Sequence, residues 1–374
     1  VMSSFHKFDH SSANSNGTKS ENSMCFVSSG IPSLDRINLN KNYFMNTCFN
    51  SEEDILGTYS RVLCKYYLAE GIVCKHDLFI ASADESPEDF VKLPKQCTNP
   101  IEDETKPLTN EIDQMKIAWR YEGLGKVESS FGSKTFGHHF DLSKQIDDTA
   151  IKDANITYWK PQKSSKTVNG FKNIFYHQLL KSIQEIVSKE AYQRGSKKRN
   201  ILRINIHSLG SPIWMTADCE DDVHSSAFGQ DLLKFMYCLR VLLRDTYAVA
   251  FVSLPSHLFD VSLHTIYKIT QRLLYSVDNA VKIESFAGSS RETNPVYKDY
   301  HGLFHITKLS AINSLVPYVP PSLDLAFKLR RKKFVIEKLH LPPELQESSE
   351  REQDDITATP KVTCGGFRKK DIDF

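Results

Sequence analysis

Not one Cys-x-x-Cys pair occurs in this 374-residue chain, whose eight cysteines (Cys25, Cys48, Cys64, Cys74, Cys97, Cys219, Cys238 and Cys364) are scattered. That usage argues against a disulfide framework and against a zinc site, so no metal is expected. It fits a reducing compartment, cytoplasmic and nuclear. Apolar runs of transmembrane length are also missing, and the polar, Ser- and Asn-rich start does not read as a signal peptide. A surplus of one charge sign is missing too. The net charge is +1 with 25% charged residues, which excludes bulk attraction to nucleic acid or membrane and leaves only local patches. No Ser-His-acid spacing, catalytic cysteine context or internal repeat stands out.

What is present is an alternation of helical and strand patterns. Residues 1–29 read as a disordered tail, 30–345 as one α/β domain, and 346–374 as a flexible tail. A strand is expected at Tyr43–Phe49, a helix from Thr58 to Gly71, and a strand at Asp77–Ser82. Insertions follow near 85–114 and 141–170, the first acidic and proline-containing, the second irregular. Helices are then expected at 171–191, 231–244 and 262–274. They alternate with strands at 201–207, 247–254 and 280–285, the second of them near-continuously apolar, and further strands at 302–309 and 333–339 follow. The alternation implies a mostly parallel sheet, and the late adjacent strands imply antiparallel edge strands.

The most informative stretch is EEDILGTYS, Glu52–Ser60. It stands between strand and helix patterns, where a P-loop of form G-x-x-x-x-G-K-[ST] would stand. Gly57 keeps the second Gly, but Glu52 replaces the first Gly, Thr58 the Lys that reaches the phosphates, and Tyr59 the magnesium-binding hydroxyl. Glu52, Glu53 and Asp54 also bring negative charge toward the place of the phosphates. Strand 201–207, where a magnesium-binding Asp is expected, ends in His207-Ser208-Leu209-Gly210 without a carboxylate. The frame is that of an ATPase with degenerate Walker motifs, an α/β fold with a P-loop-type core and no catalytic residues of its own. An unrelated α/β fold that never had such a site is the plainer alternative.

Other clusters are less specific. His301 and His305 have helical zinc spacing, but the alternation around them is that of a strand, where residues four apart lie about 13 Å from each other. Lys197, Lys198 and Arg199, together with Arg330 and Arg331, are candidate RNA contacts, since phosphate binding rests on such positive clusters; solvated flanks are the alternative. The polar connection Gly288–His301 carries Arg291 and Lys298, candidates for a contact across a subunit boundary, or else for a self-bonded surface hairpin.

Several long strings resemble the PAXNEB family, the fourth subunits of the Elongator complex. They include GIPSLDRI (Gly30–Ile37), GTYSRVLCKYYLAEGIV (Gly57–Val73) and FGHHFD (Phe136–Asp141). RNILRINIHSLGSPIW (Arg199–Trp214), ESFAGSSRETNPVYKDYHGLFHI (Glu284–Ile306) and LAFKLRRKKFVIEKLHLPPEL (Leu325–Leu345) belong with them. The resemblance implies a RecA-like fold without usable Walker motifs. It implies assembly with the fifth and sixth Elongator subunits into a hexameric ring, a dimer of heterotrimers, that binds tRNA. That ring associates with the catalytic Elongator subcomplex, which builds carboxymethyl-type side chains at C5 of the wobble uridine. The iron-sulfur and acetyl-CoA chemistry belongs to another subunit, so this chain is expected to bind no cofactor directly, with ATP confined to subunit interfaces of the ring. One departure is Asn38-Leu39-Asn40-Lys41-Asn42, which stands where the family has a glycine-rich turn. Two other functions stay open: a ring ATPase with composite sites, and an accessory factor of transcription elongation.

Overall fold

The computed structural model describes residues 18–21, 24–35, 47–54, 57–97, 137–162, 170–193, 196, 199–214, 226–244, 246–255, 265–309 and 322–340. In chain order the strands are β1 Thr18–Glu21, β2 Met24–Val27, β3 Thr47–Glu53, β4 Asp77–Ser82, β5 Pro94–Cys97, β6 His139–Gln145 and β7 Ile156–Trp159. Then follow β8 Leu202–His207, β9 Ala248–Leu254, β10 Asn279–Ser285, β11 Gly302–Lys308, β12 Leu325–Leu329 and β13 Phe334–Lys338. The helices are α1 Pro32–Leu34, α2 Thr58–Val73, α3 Asp148–Asp153, α4 Ile174–Val187, α5 Ser226–Leu243 and α6 Thr265–Ser276.

Nine strands form one sheet in the order β13-β12-β11-β10-β3-β9-β8-β4-β7. From β10 to β7 every pairing is parallel; β10 to β13 pair antiparallel. Every residue of β8 and β9 is buried, as strands covered on both faces require. On one face, Phe79, Ile204, Ile206, Ala250 and Val252 pack with Tyr176 and Leu179 of α4, Phe235 and Leu239 of α5, and Leu273 of α6. On the other, Leu78, Ile80, Val249, Phe251 and Ile283 pack with Leu63, Tyr67 and Leu68 of α2. The alternation of Leu78 and Ile80 against Phe79 and Ala81 shows the strand period dividing the two cores. Asn173 caps α4, its side-chain oxygen accepting from the Phe175 amide at 2.9 Å.

Polar groups enter the α2 face along β8. Arg203 is fully buried; its Nε donates to His76 Nδ1 at 3.0 Å and its Nη1 to the Tyr67 carbonyl at 3.1 Å. The guanidinium also lies 4.9 Å from the centre of the Tyr67 ring.

Several expectations are corrected. The segment read as a tail contains the antiparallel β1–β2 hairpin, and Ser28 and Ser29 both bond the Asp35 carboxylate at 2.6 Å. The stretch near 85–114 holds β5, which pairs with β6, and the supposedly irregular stretch near 141–170 holds α3 and β7, the parallel edge of the main sheet. The described part of the first core strand is Thr47–Glu53; of the expected Tyr43–Phe49 the residues 43–46 lie outside the described residues, and Glu52 is a strand residue opposite Ile283. Three antiparallel strands, not two, follow β10, because β12 forms between the two expected. Asn38–Asn42, Lys197, Lys198 and the tail 346–374 lie outside the described residues.

Candidate functional site at the carboxyl ends of the parallel strands

In open parallel sheets, ligands bind beyond the carboxyl ends of the strands where chain order reverses. Here the reversal falls at β3: α2 carries the chain from β3 to β4 on one side, whereas α6 carries it from β9 to β10 on the other. The four residues 54–57 join β3 to α2 at that point. Gly57 has φ +63°, a left-handed conformation that glycine adopts without strain, and its amide donates to the Asp54 carbonyl at 2.8 Å.

Asp54 then turns inward. It is 1% exposed, and its Oδ2 accepts the Tyr59 backbone N–H at 2.5 Å. A carboxylate of the chain itself therefore sits at the amino terminus of α2, where a P-loop protein holds phosphate. One of the first-turn amides that favour an external anion is thereby engaged from within.

The replaced positions follow the same logic. Thr58 is exposed at the first turn of α2, with a side chain too short to reach a terminal phosphate. Tyr59 packs edge-on against Phe327 at 4.7 Å and His301 at 6.4 Å, so it serves the packing of α2 under β12. Burial, then the Asp54 and Glu292 charges, pushes its hydroxyl above the usual tyrosine range.

At the end of β8, His207 is buried, with Nδ1 3.1 Å from Ser253 Oγ and its ring edge against Phe90. Burial, then the Arg61 charge, pushes its pKa down to about 4. Ser208 follows with φ +48°. No carboxylate stands on β8 itself, but Asp84, just past the neighbouring β4, accepts hydrogen bonds from Ser208 and Ser211. Burial raises the Asp84 pKa against those bonds. An acid does lie beside the end of β8, supplied by the next strand, and linear spacing gives no signal for it.

The connection Gly288–His301 is tied to itself: the Gly288 amide donates to Glu292 Oε2 at 2.8 Å, and the Asn294 amide to the Arg291 carbonyl at 3.3 Å. Arg291 pairs at 2.5 Å with Glu284 of its own chain, which also meets His305 Nε2 at 3.0 Å; Lys298 is exposed. His301 and His305 do not converge, since His301 Nδ1 accepts from the Leu329 amide at 3.3 Å.

The basic candidates separate as well. Arg199 precedes β8, at the amino edge of the sheet, and its guanidinium lies over the Tyr247 ring at 5.6 Å. Arg330 and Arg331 form the β12–β13 turn at the carboxyl edge, near the 288–301 connection. A strand of six residues puts these edges about 20 Å apart, which separates Arg199 from the Arg330–Arg331 pair.

The fold and site define an α/β protein whose mostly parallel central sheet is consistent with a Rossmann- or RecA-like core, with a buried carboxylate in the connection between β3 and α2. The chain belongs to the PAXNEB family: the sequence profile described as "PAXNEB protein" matches residues 11–374. It is similar to proteins named Elongator complex protein 4. With that of Danio rerio it shares 39% identity over 345 residues, 88% of this chain and 85% of the relative. Identity is 38% over 380 residues with the Homo sapiens protein, covering 94% and 87% respectively. With the Xenopus laevis protein it is 37% over 362 residues, covering 92% and 87%.

Proposed function

We propose that this chain is a noncatalytic, RecA-like subunit of the Elongator complex that supports modification of the tRNA wobble uridine. The observation that carries the noncatalytic reading is Asp54, whose carboxylate takes the α2 amino terminus. The strand order supports the RecA-like reading, since β9 separates the loop-bearing β3 from β8, where the magnesium acid is expected. Family membership and the shared name of the relatives support the complex.

In this reading the chain assembles with the fifth and sixth Elongator subunits into a closed hetero-hexameric ring, burying two different faces. The ring binds tRNA and presents it to the catalytic Elongator subcomplex, in cytoplasm and nucleus. Among the described residues no helix is long and apolar enough to cross a membrane. ATP, where the ring binds it, lies at subunit boundaries with groups from a neighbour. Arg291 favours that composite arrangement as a second reading, being half exposed at the carboxyl edge.

The test is depletion of the chain followed by mass spectrometry of tRNA nucleosides, alongside native mass spectrometry with the two partner subunits. Loss of the carboxymethyl-type wobble modification and a closed hetero-oligomer are expected. Unchanged wobble nucleosides overturn the function; a chain that remains monomeric with both partners overturns the ring.

A further inference from the structure

On the α2 face, away from the β3–α2 connection, Glu70 lies in the last turn of α2, Cys74 caps its carboxyl end, and His138 reaches them from the segment before β6. Glu70 and Cys74 are buried at 0% and 3% exposure, whereas the His138 side chain is 36% exposed, which gives solvent a route to the cluster. The donor atoms of the three residues lie within 4.8 Å of one another. His138 Nδ1 is 3.1 Å from Glu70 Oε1, and Cys74 Sγ is 3.5 Å from the same oxygen. A tetrahedral zinc ion with bonds of about 2.0–2.3 Å spaces its nitrogen, oxygen and sulfur ligands about 3.3–3.6 Å apart.

We propose that Glu70, Cys74 and His138 bind one zinc-class divalent cation, with a fourth position open on the solvent side of His138. Thiolate, imidazole and carboxylate are the donor types zinc takes, and three protein ligands leave room for water. The Cys74 thiol, which donates to Glu70 Oε1, loses its proton to water as the sulfur–metal bond forms, and the proton that His138 Nδ1 shares with Glu70 leaves to water, the neutral ring keeping its proton on Nε2. Glu70 Oε2 accepts the His138 backbone N–H at 3.2 Å, and His138 Nδ1 lies 3.1 and 3.2 Å from Oε1 and Oε2, so both carboxylate oxygens face the cluster.

The backbone around the cluster is fixed before any ion arrives. Gly137 has φ +90°, and a Cβ there would lie 2.1 Å from Ser28 Oγ, so only glycine delivers His138 at this angle. A Cβ on Gly30 would lie 2.4 Å from the Tyr66 carbonyl and 3.1 Å from Glu70 Cβ, so the 28–35 segment clamps the same turn of α2. His138 is 68 residues from Glu70, a separation that hides the site from any local cysteine motif.

The test is cobalt(II) titration of the full chain, read by thiolate-to-metal absorption and displaced by zinc. One ion per chain is expected, with the band lost in Cys74→Ser, kept in Cys238→Ser, and affinity lowered at least about 10-fold in His138→Asn. No band, or a band that survives Cys74→Ser, overturns the site. Zinc X-ray absorption on the unmodified chain keeps the question decidable if Cys74→Ser misfolds. A shell of one sulfur with nitrogen and oxygen ligands supports the proposal; no sulfur, or more than one, overturns it.

Discussion

Replacing Asp54 isolates the contact on which the nucleotide-loop argument depends. The carboxylate is buried and accepts the Tyr59 amide at the first turn of α2. A cap exchanged for alanine costs about 0.5–2 kcal/mol, and a hydrogen bond to a charged group contributes about 1.5–3 kcal/mol. Against this, removing a buried carboxylate relieves part of its desolvation cost. Asp54→Ala should therefore destabilise the chain by about 1–3 kcal/mol, a fall in Tm of about 1–4 °C at this chain length. Asp54→Asn, whose amide oxygen can still accept, should recover much of it. The diagnostic step is a thermal melt with sulfate against chloride at matched ionic strength. Sulfate stabilises proteins generally, so the informative quantity is the difference between variant and unmodified chain. Asp54→Ala frees the Tyr59 amide for an external anion and should gain more from sulfate than either the unmodified chain or Asp54→Asn. An Asp54→Ala chain as stable as the original, or one with the same sulfate response, refutes the reasoning.

Acid should weaken the fold through His207. Its folded pKa of about 4 lies below the ordinary 6.5, so its contribution is fully present above 6.5 and is lost as pH falls toward 4, reaching about 3 kcal/mol. Denaturant unfolding of His207→Gln between pH 7 and pH 4.5 should show a flatter pH dependence, and an unchanged slope contradicts the assignment. Lys308 Nζ donates to the Leu274 and Val277 carbonyls at 2.8 and 2.6 Å at the end of α6, so Lys308→Met should cost about 1–2 kcal/mol in thermal melts. Arg291→Ala with Lys298→Ala should change the stability of the isolated chain by no more than about 0–1 kcal/mol while weakening assembly with the partner subunits in native mass spectrometry. Equal ring yields return the 288–301 connection to a self-bonded surface hairpin.

What could be read from the sequence was what local pattern controls. Strands β4 and β9 are largely apolar runs because both faces are covered, β8 alternates Leu202, Ile204 and Ile206 with polar residues, and α4 shows its buried face at helical spacing. β3 was offset because its second half, Asn50-Ser51-Glu52-Glu53, has no strand propensity; parallel pairing with β9 and β10 overrides it. β7 was missed for a different reason: Ile156-Thr157-Tyr158-Trp159 are all strand formers, but four residues within a polar stretch make too short a run to stand out. At the site, Thr58 and Tyr59 could be placed in the first turn of α2, and Asp54 could be read as a charge just before it. Its role as the internal ligand of α2 could not be read, since that depends on the left-handed turn at Gly57 and the burial of the side chain. Asp84 beside β8, and His138 beside Glu70, are brought together by tertiary packing and leave no spacing to find.

ATP turnover by the purified, isolated chain tests the central claim most directly. With Thr58 in place of the phosphate-binding Lys and the α2 amino terminus taken by Asp54, hydrolysis should stay at the background of a buffer control with magnesium present. Turnover that stays with the chain through purification and disappears in Gly57→Pro would contradict the account.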